Sequence, residues 1–77
     1  MPTFHFNIMN TAATIMDFEG TDLEPLASAR DEAILDARSL MSMAMLDGRD
    51  ISNRAFEICN DQGDVLMIVA FRDAIVQ

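Results

Sequence analysis

Cysteine and histidine are scarce in this chain, and their scarcity excludes two common ways of stabilising a small domain. Cys59 is the only cysteine, so no disulfide can form within the chain. One cysteine and one histidine, His5, fall short of the four ligands of a usual structural zinc site. At 77 residues the chain predicts a single domain spanning 1–77. A core of this size supplies about 3–5 kcal/mol, so self-association remains as the route to further stability.

Positive charge is equally scarce. Five arginines and no lysines stand against 13 acidic residues, which makes the formal net charge −8. Binding phosphate requires clustered basic residues, and these arginines are scattered, so we expect neither nucleic acid nor an anionic membrane as a direct partner. No apolar run approaches the ~18 residues of a membrane helix, and the N-terminus lacks the pattern of a secretory signal. A cytoplasmic location is therefore expected.

The motifs that usually announce catalysis are missing as well. The sequence contains no glycine-rich phosphate loop, no nucleophile elbow and no Cys-x-x-Cys pair. Residues 47–50 lack the alternating ligands of a calcium-binding EF-hand loop. The three glycines, Gly20, Gly48 and Gly63, each fall where a turn is expected. We therefore predict a protein that is not an enzyme and that has no cofactor and no metal.

Alternating apolar residues and turn residues predict two β-hairpins. Phe4, Phe6 and Ile8 alternate with polar residues, which is typical of a half-buried strand, and a second strand is predicted over 12–18. Near the C-terminus, two further strands over 54–59 and 64–71 flank the sequence Asn-Asp-Gln-Gly at 60–63, which is typical of a turn.

A single helix is predicted between the hairpins, from about residue 24 to 47. Pro25 suits a first helical turn, and Gly48 suits the position just past a helix end. The order strand-strand-helix-strand-strand then predicts an α+β fold in which one helix packs on a four-stranded antiparallel sheet.

The longest apolar run, residues 65–71, is the most informative segment of the sequence. Continuous apolar character is typical of a strand that is buried on both faces. One face of this strand would meet the helix, either the face of Val65, Met67, Val69 and Phe71 or the opposite one. A single helix cannot cover the other face. We therefore expect the uncovered face to contact another protein molecule. Apolar residues on the otherwise polar side of the helix are expected to take part in the same contact. The predicted interface residues are Leu66, Met67, Ile68, Val69, Ala70, Leu35, Met43 and Leu46.

Arg30 is the charged residue whose predicted position is unusual. Helical spacing places it on the apolar face with Ala33 and Ala37, where a charge requires a partner. In one interpretation its guanidinium pairs with a carboxylate of the preceding loop, from Asp17 or Glu19. In the other, Arg30 and the loop from 17 to 22 form a binding site for a small anion.

His5 and Cys59 have weaker functional interpretations. His5 lies on the polar face of the first strand, where it could titrate near neutral pH or bind a metal, but no second ligand has a suitable spacing. Cys59 lies near Glu57 and Asp61, which disfavour a reactive thiolate, so a small buried residue is the simpler interpretation.

The order and spacing of several short motifs resemble a family of small bacterial proteins, common in alphaproteobacteria, known as domain of unknown function number 6894. The resemblance covers most of the chain, although residues 10–14 lack the Asp-Gly-like turn of the family. It implies a bacterial origin and, since the family has no assigned activity, no catalytic residue. The motifs are Met-Pro-x-Phe-x-Phe at 1–6, Asp-x-Glu-Gly-Thr-x-Leu at 17–23, Ala-x-Ala-Arg-x-Glu-Ala at 27–33, Gly-Arg-Asp-Ile-Ser at 48–52, Phe-Glu-Ile at 56–58, Asp-x-Gly-x-Val-Leu at 61–66 and Phe-Arg-Asp-Ala at 71–74.

Three hypotheses about function follow from the sequence. The first is a non-catalytic interaction module that forms a homodimer or higher oligomer, with another protein as the second candidate partner. The second is a small-anion binding domain that uses Arg30 and the loop at 17–22. The third, ranked lowest because the charges are spread along the chain, is an acidic mimic of nucleic acid that occupies a basic protein.

Overall fold

The computed structural model describes residues 3–10, 13–17, 20–22 and 25–75, and it confirms the predicted α+β class: one helix packs on an antiparallel sheet. The elements are β1 (Thr3–Met9), β2 (Thr14–Ile15), β3 (Thr21–Asp22), α1 (Leu26–Leu46), β4 (Ala55–Cys59), β5 (Val65–Ala70) and a 3₁₀ turn (Phe71–Ala74). The sheet order is β2-β1-β4-β5, and β3 pairs with the end of β1 that β2 does not contact.

Helix α1 begins and ends close to the predicted residues. Pro25 is still extended, so it precedes the first turn instead of belonging to it. At the other end, Gly48 has a φ of 78° and its N–H donates to the carbonyl of Met45, as expected for a glycine that ends a helix. The buried residues of α1 are mostly small, which brings the helix backbone close to the sheet: Ala29, Ala33, Ile34, Ala37 and Ala44.

The core lies between α1 and the face of the sheet that carries the phenylalanines. Phe6 of β1 meets Phe56 of β4 edge to face with ring centroids 6.0 Å apart, and Phe56 lies 5.0 Å from Phe71. Phe71 and Ile58 are the largest side chains that are completely buried. The alternation predicted for β1 and β4 is therefore confirmed, because both strands turn their apolar side chains towards the helix.

The prediction of one continuous second strand over 12–18 is wrong. On the side of β1 away from β4, the described residues of this segment form only β2 and β3, of two residues each, which pair with β1 near its two ends. Between them a carboxylate oxygen of Asp17 accepts the backbone N–H of Phe6 at 3.1 Å, and the other oxygen accepts the N–H of Gly20 at 3.2 Å. A side chain thus supplies the hydrogen bond that a continuous strand would have supplied.

Strand β5 follows the predicted alternation except at its beginning. Met67, Val69 and the following Phe71 contact the core, as one of the two expected arrangements requires. Val65, by contrast, is half exposed. The pairing of β4 with β5 shifts between Ile58 and Cys59: Cys59 pairs with Val65, and Leu66 is left as an extra residue. This β-bulge moves Val65 to the face of the sheet that the helix does not cover.

Candidate functional site

Three features stand out as candidate sites, and the first is the outer side of strand β5. Val65, Leu66 and Ile68 are 50%, 41% and 59% exposed and lie on the sheet face opposite α1. We call these three residues the β5 surface. Within the described part of the chain β5 pairs with β4 alone, so its other edge is open, and residues 65–70 carry no charge.

Part of the β5 backbone is also directed towards this open edge. Phe71 donates its N–H to the carbonyl of Arg54 across the sheet at 2.9 Å. Because successive N–H groups of a strand point in opposite directions, those of Ile68 and Ala70 point away from β4. The β5 surface therefore combines exposed apolar side chains with backbone groups free to pair.

The predicted interface residues do not all belong to this surface. Val69 is buried and Met67 packs against the core, so the prediction that these two residues contact a partner is wrong. Ala70 is half buried. Leu35, Met43 and Leu46 are exposed on the side of α1 that faces away from the sheet. A single flat contact cannot include both the β5 surface and these helical residues, because the two sets lie on opposite sides of the two-layer fold.

Arg30 does not make the contact that the sequence predicted. Its side chain is exposed, and it makes no ion pair with Asp17. At about 100° per residue Arg30 falls between Ala37 and Ile34 on the buried side of α1, so helical spacing does not explain its exposure. The other predicted member of the anion site, Glu19, lies outside the described residues.

Asp17 instead organises a second feature, a polar cluster on the uncovered face of the sheet. Besides the two bonds made by its carboxylate, its N–H donates to Oδ1 of Asn7 at 2.8 Å and its carbonyl accepts from Nδ1 of His5 at 2.7 Å. Asn7 is only 2% exposed, and its amide nitrogen lies 3.5 Å from both Glu57 and Cys59. Every group of Asp17 is thus engaged within the protein, which favours an anchoring role over ligand binding.

His5 connects this cluster to the turn between β4 and β5. Its Nε2 lies 2.8 Å from a carboxylate oxygen of Asp61, while Nδ1 faces the carbonyl of Asp17. Both neighbours are acceptors, so only the charged imidazolium donates to both at once. The hydrogen bond with Asp61, followed by that with the Asp17 carbonyl, raises the pKa of His5.

This arrangement predicts a pH-dependent contribution of His5 to stability. The contribution is complete below about pH 6.5, the pKa of an unfolded histidine, and it is lost as the pH rises through the higher pKa of the folded protein. Between about pH 6 and pH 8 the free energy of unfolding of the wild type should fall more steeply than that of His5→Gln, measured by urea unfolding. Asp61→Asn should move the fall to lower pH. Parallel pH profiles for the wild type and His5→Gln would contradict the prediction.

Cys59 lies beside the same cluster and is buried. Burial, and then the Glu57 carboxylate, raise the pKa of its thiol, so it remains protonated near neutral pH. Its structural setting agrees with the interpretation of Cys59 as a small buried residue.

The third feature, which sequence reasoning missed, is a groove beside the second half of α1. Its volume is about 760 Å³, and it is bounded by α1, the loop at 48–52 and the end of the 3₁₀ turn. Helical spacing alone puts Arg38, Met41 and Met45 on one side of α1. The sequence gives no sign that Arg49, Ile51 and Ile75 complete the walls, because the fold brings them there. The residues that line this arginine groove are Arg38, Met41, Ser42, Met45, Gly48, Arg49, Asp50, Ile51, Ser52 and Ile75.

These features define a small two-layer α+β domain with an open apolar sheet edge. The described ranges contain no group of three or more His, Cys, Asp or Glu residues placed to hold a metal ion. Among these residues there is also no helix with the length and apolar character needed to cross a membrane.

The chain belongs to the family described as Domain of unknown function (DUF6894), whose family model matches residues 3–72. The match confirms the family that the sequence motifs indicated. No curated protein and no solved structure matches the chain significantly.

Proposed function

We propose that this protein is a non-catalytic interaction module that associates with a second copy of itself through the β5 surface. The observation that carries the proposal is that the open end strand of the sheet exposes Val65, Leu66 and Ile68 on a face without cover. Monomeric proteins usually protect such edges with charged side chains, and residues 65–70 contain none. A second copy would pair the open backbone groups and bring the exposed apolar side chains of the two β5 strands into contact beside each other.

The geometry of β5 favours one arrangement of the two copies. If a two-fold axis passes through the sheet, the two β5 strands run antiparallel, and residues directly opposite each other must share a face. Placing Ile68 opposite Ile68 of the second copy satisfies this condition and uses the N–H and C=O groups that point to the open edge. It also places Leu66 opposite Ala70 of the second copy. The bulge at Leu66 lies at the end of the paired segment, so the regular pairing extends from residue 67 to residue 69 on each copy.

Charge affects the strength of this contact but not its location. Each copy carries a net charge of −8, so two copies repel each other at low ionic strength. Since the paired segment itself is uncharged, added salt should screen the repulsion and strengthen the association. An oligomer held by ion pairs would respond in the opposite direction.

A proline at position 68 tests the proposed pairing. The N–H of Ile68 points away from β4, so Ile68→Pro removes no hydrogen bond inside the protomer, whereas it blocks pairing along the open edge. Light scattering with size exclusion should give a dimer for the wild type and the 8.6 kDa monomer for the variant, with circular dichroism unchanged. Ile68→Asp provides a second variant, because it opposes two carboxylates at the two-fold axis.

The matched control is Leu46→Ser, which removes an exposed apolar side chain on the opposite side of the molecule. This variant should remain dimeric. A wild-type monomer at micromolar concentration would refute the proposal. Dissociation by Leu46→Ser but not by either change at Ile68 would move the contact to the outer side of α1.

A further inference from the structure

We propose that the arginine groove binds a small organic acid with an apolar body, whose carboxylate lies between Arg38 and Arg49. The sequence placed an anion site at Arg30, where the structure offers a single exposed guanidinium. The arginine groove instead brings two guanidinium groups and several apolar side chains to one concavity. This inference does not depend on self-association, since the groove and the β5 surface share no residue.

Several apolar side chains together line the groove. Of the lining residues, Ile51 is 7% exposed, while Met45 of α1 and Ile75 after the 3₁₀ turn are 75% and 62% exposed. A volume of about 760 Å³ is that of a typical small-molecule site, for which the usual range is ~300–1,000 Å³. Methionine side chains adapt to ligands of different shape, so the walls suit a flexible hydrocarbon better than a rigid ring.

The two arginines are held in ways that leave donors available to a ligand. Arg38 uses its Nε–H to bond the carbonyl of Ala74 at 2.8 Å, which positions the guanidinium while its two terminal nitrogens have no partner among the described residues. Arg49 is 60% exposed in its side chain, and its one ion-pair contact among the described residues, with Asp47, is long at 3.6 Å. A carboxylate placed between them would receive charge-assisted hydrogen bonds from both sides.

The charge of the groove differs from that of the whole chain. Two arginines and one carboxylate, that of Asp50, line the groove, whereas acidic residues outnumber basic ones 13 to 5 in the sequence. Asp50 is occupied, because one of its oxygens accepts the N–H of Ser52 at 2.9 Å. Among the lining residues positive charge exceeds negative charge by one, with Asp47 beside Arg49 outside the lining, and this excess favours an anionic ligand over a cation.

Titration with octanoate tests the inference, with octanol as a neutral analogue and acetate as an anion without an apolar body. In NMR spectra of the full chain, octanoate should shift the signals of Met41, Met45, Ile51 and Ile75 in a saturable manner. Octanol and acetate should each bind at least about tenfold more weakly than octanoate, because octanol lacks the carboxylate and acetate lacks the apolar body.

Variants identify which arginine is responsible. Arg38→Gln and Arg49→Gln should each weaken octanoate binding by about tenfold, since each removes one charged donor. Arg30→Gln is the matched control, because Arg30 is an exposed arginine of the same helix outside the groove, and it should bind octanoate like the wild type. The Ile68→Asp variant should also retain binding, which separates this test from that of self-association.

Three results would overturn the inference. Equal binding of octanol and octanoate would indicate an apolar groove without an anion site. Loss of binding in Arg30→Gln, with Arg38→Gln and Arg49→Gln unaffected, would return the site to the loop at 17–22. The absence of saturable octanoate binding to the wild type would exclude the groove as a site for this class of ligand.

Discussion

Replacing Phe71 by alanine is expected to abolish the folded state of this protein. The Phe71 side chain is completely buried, and its ring lies 5.0 Å from that of Phe56 at the point where the 3₁₀ turn closes the core beside α1. Removing a buried phenylalanine side chain costs about 3–5 kcal/mol. A core in a chain of this length supplies about the same amount, so a single substitution consumes the whole stability.

Urea unfolding followed by circular dichroism measures this effect, at a protein concentration low enough that association adds no stability. The alanine variant retains the N–H that bonds to Arg54, so the loss reports on the side chain alone. Phe71→Leu should remain folded, because it fills most of the site. Ile75→Ala, at an exposed position four residues further on, should change the unfolding free energy by about 0.5 kcal/mol or less. A cooperative transition in Phe71→Ala within about 1 kcal/mol of the wild type would contradict the role assigned to Phe71.

The second largest effect is expected from Asp17→Ala. Within the described ranges the carboxylate is the only acceptor for the N–H groups of Phe6 and Gly20, and alanine removes both hydrogen bonds. Leaving partly buried donors unsatisfied should cost about 2–3 kcal/mol. In a domain of this size that loss lowers the midpoint of thermal unfolding by roughly 10–20 °C.

Hydrogen exchange distinguishes this mechanism from a general loss of charge. The amide of Phe6 lies in the middle of β1, and in Asp17→Ala its exchange should accelerate more than that of residues in β4. The control Asp31→Ala removes an exposed carboxylate of α1 and should leave both exchange and thermal stability near the wild-type values. Unchanged protection of the Phe6 amide in Asp17→Ala would show that another group satisfies this donor.

The order of elements could be predicted because it depends on local patterns. The alternation of Phe4, Phe6 and Ile8 defines a strand wherever that strand is placed, and Gly48 ends the helix through its own backbone conformation. The continuous apolar run of β5 likewise indicated a strand with one face beyond the reach of the helix. In these segments the signal lies within a few residues, and the tertiary structure agrees with it.

Predictions failed where a residue depends on a distant part of the chain. The second strand is shorter than predicted because the Asp17 side chain replaces a backbone partner of Phe6, and sequence patterning treats a carboxylate as a solvated group. Val65 left the core face because a bulge opposite Cys59 changed the alternation, and a bulge requires two strands. Arg30 has the helical angle that the sequence predicted, between Ala37 and Ile34, yet it is exposed, because helical spacing alone does not show which part of a helix the sheet covers.

By itself the sequence determined the α+β class, the limits of the helix and the presence of a strand too apolar for one helix to cover, because these depend on periodicity and on the backbone preferences of single residues. Only the tertiary structure decided which apolar residues of β5 remain exposed, and it alone brought Arg38, Arg49 and Ile75 around one groove. Both outcomes depend on contacts between segments far apart in the chain, and no local pattern contains that information.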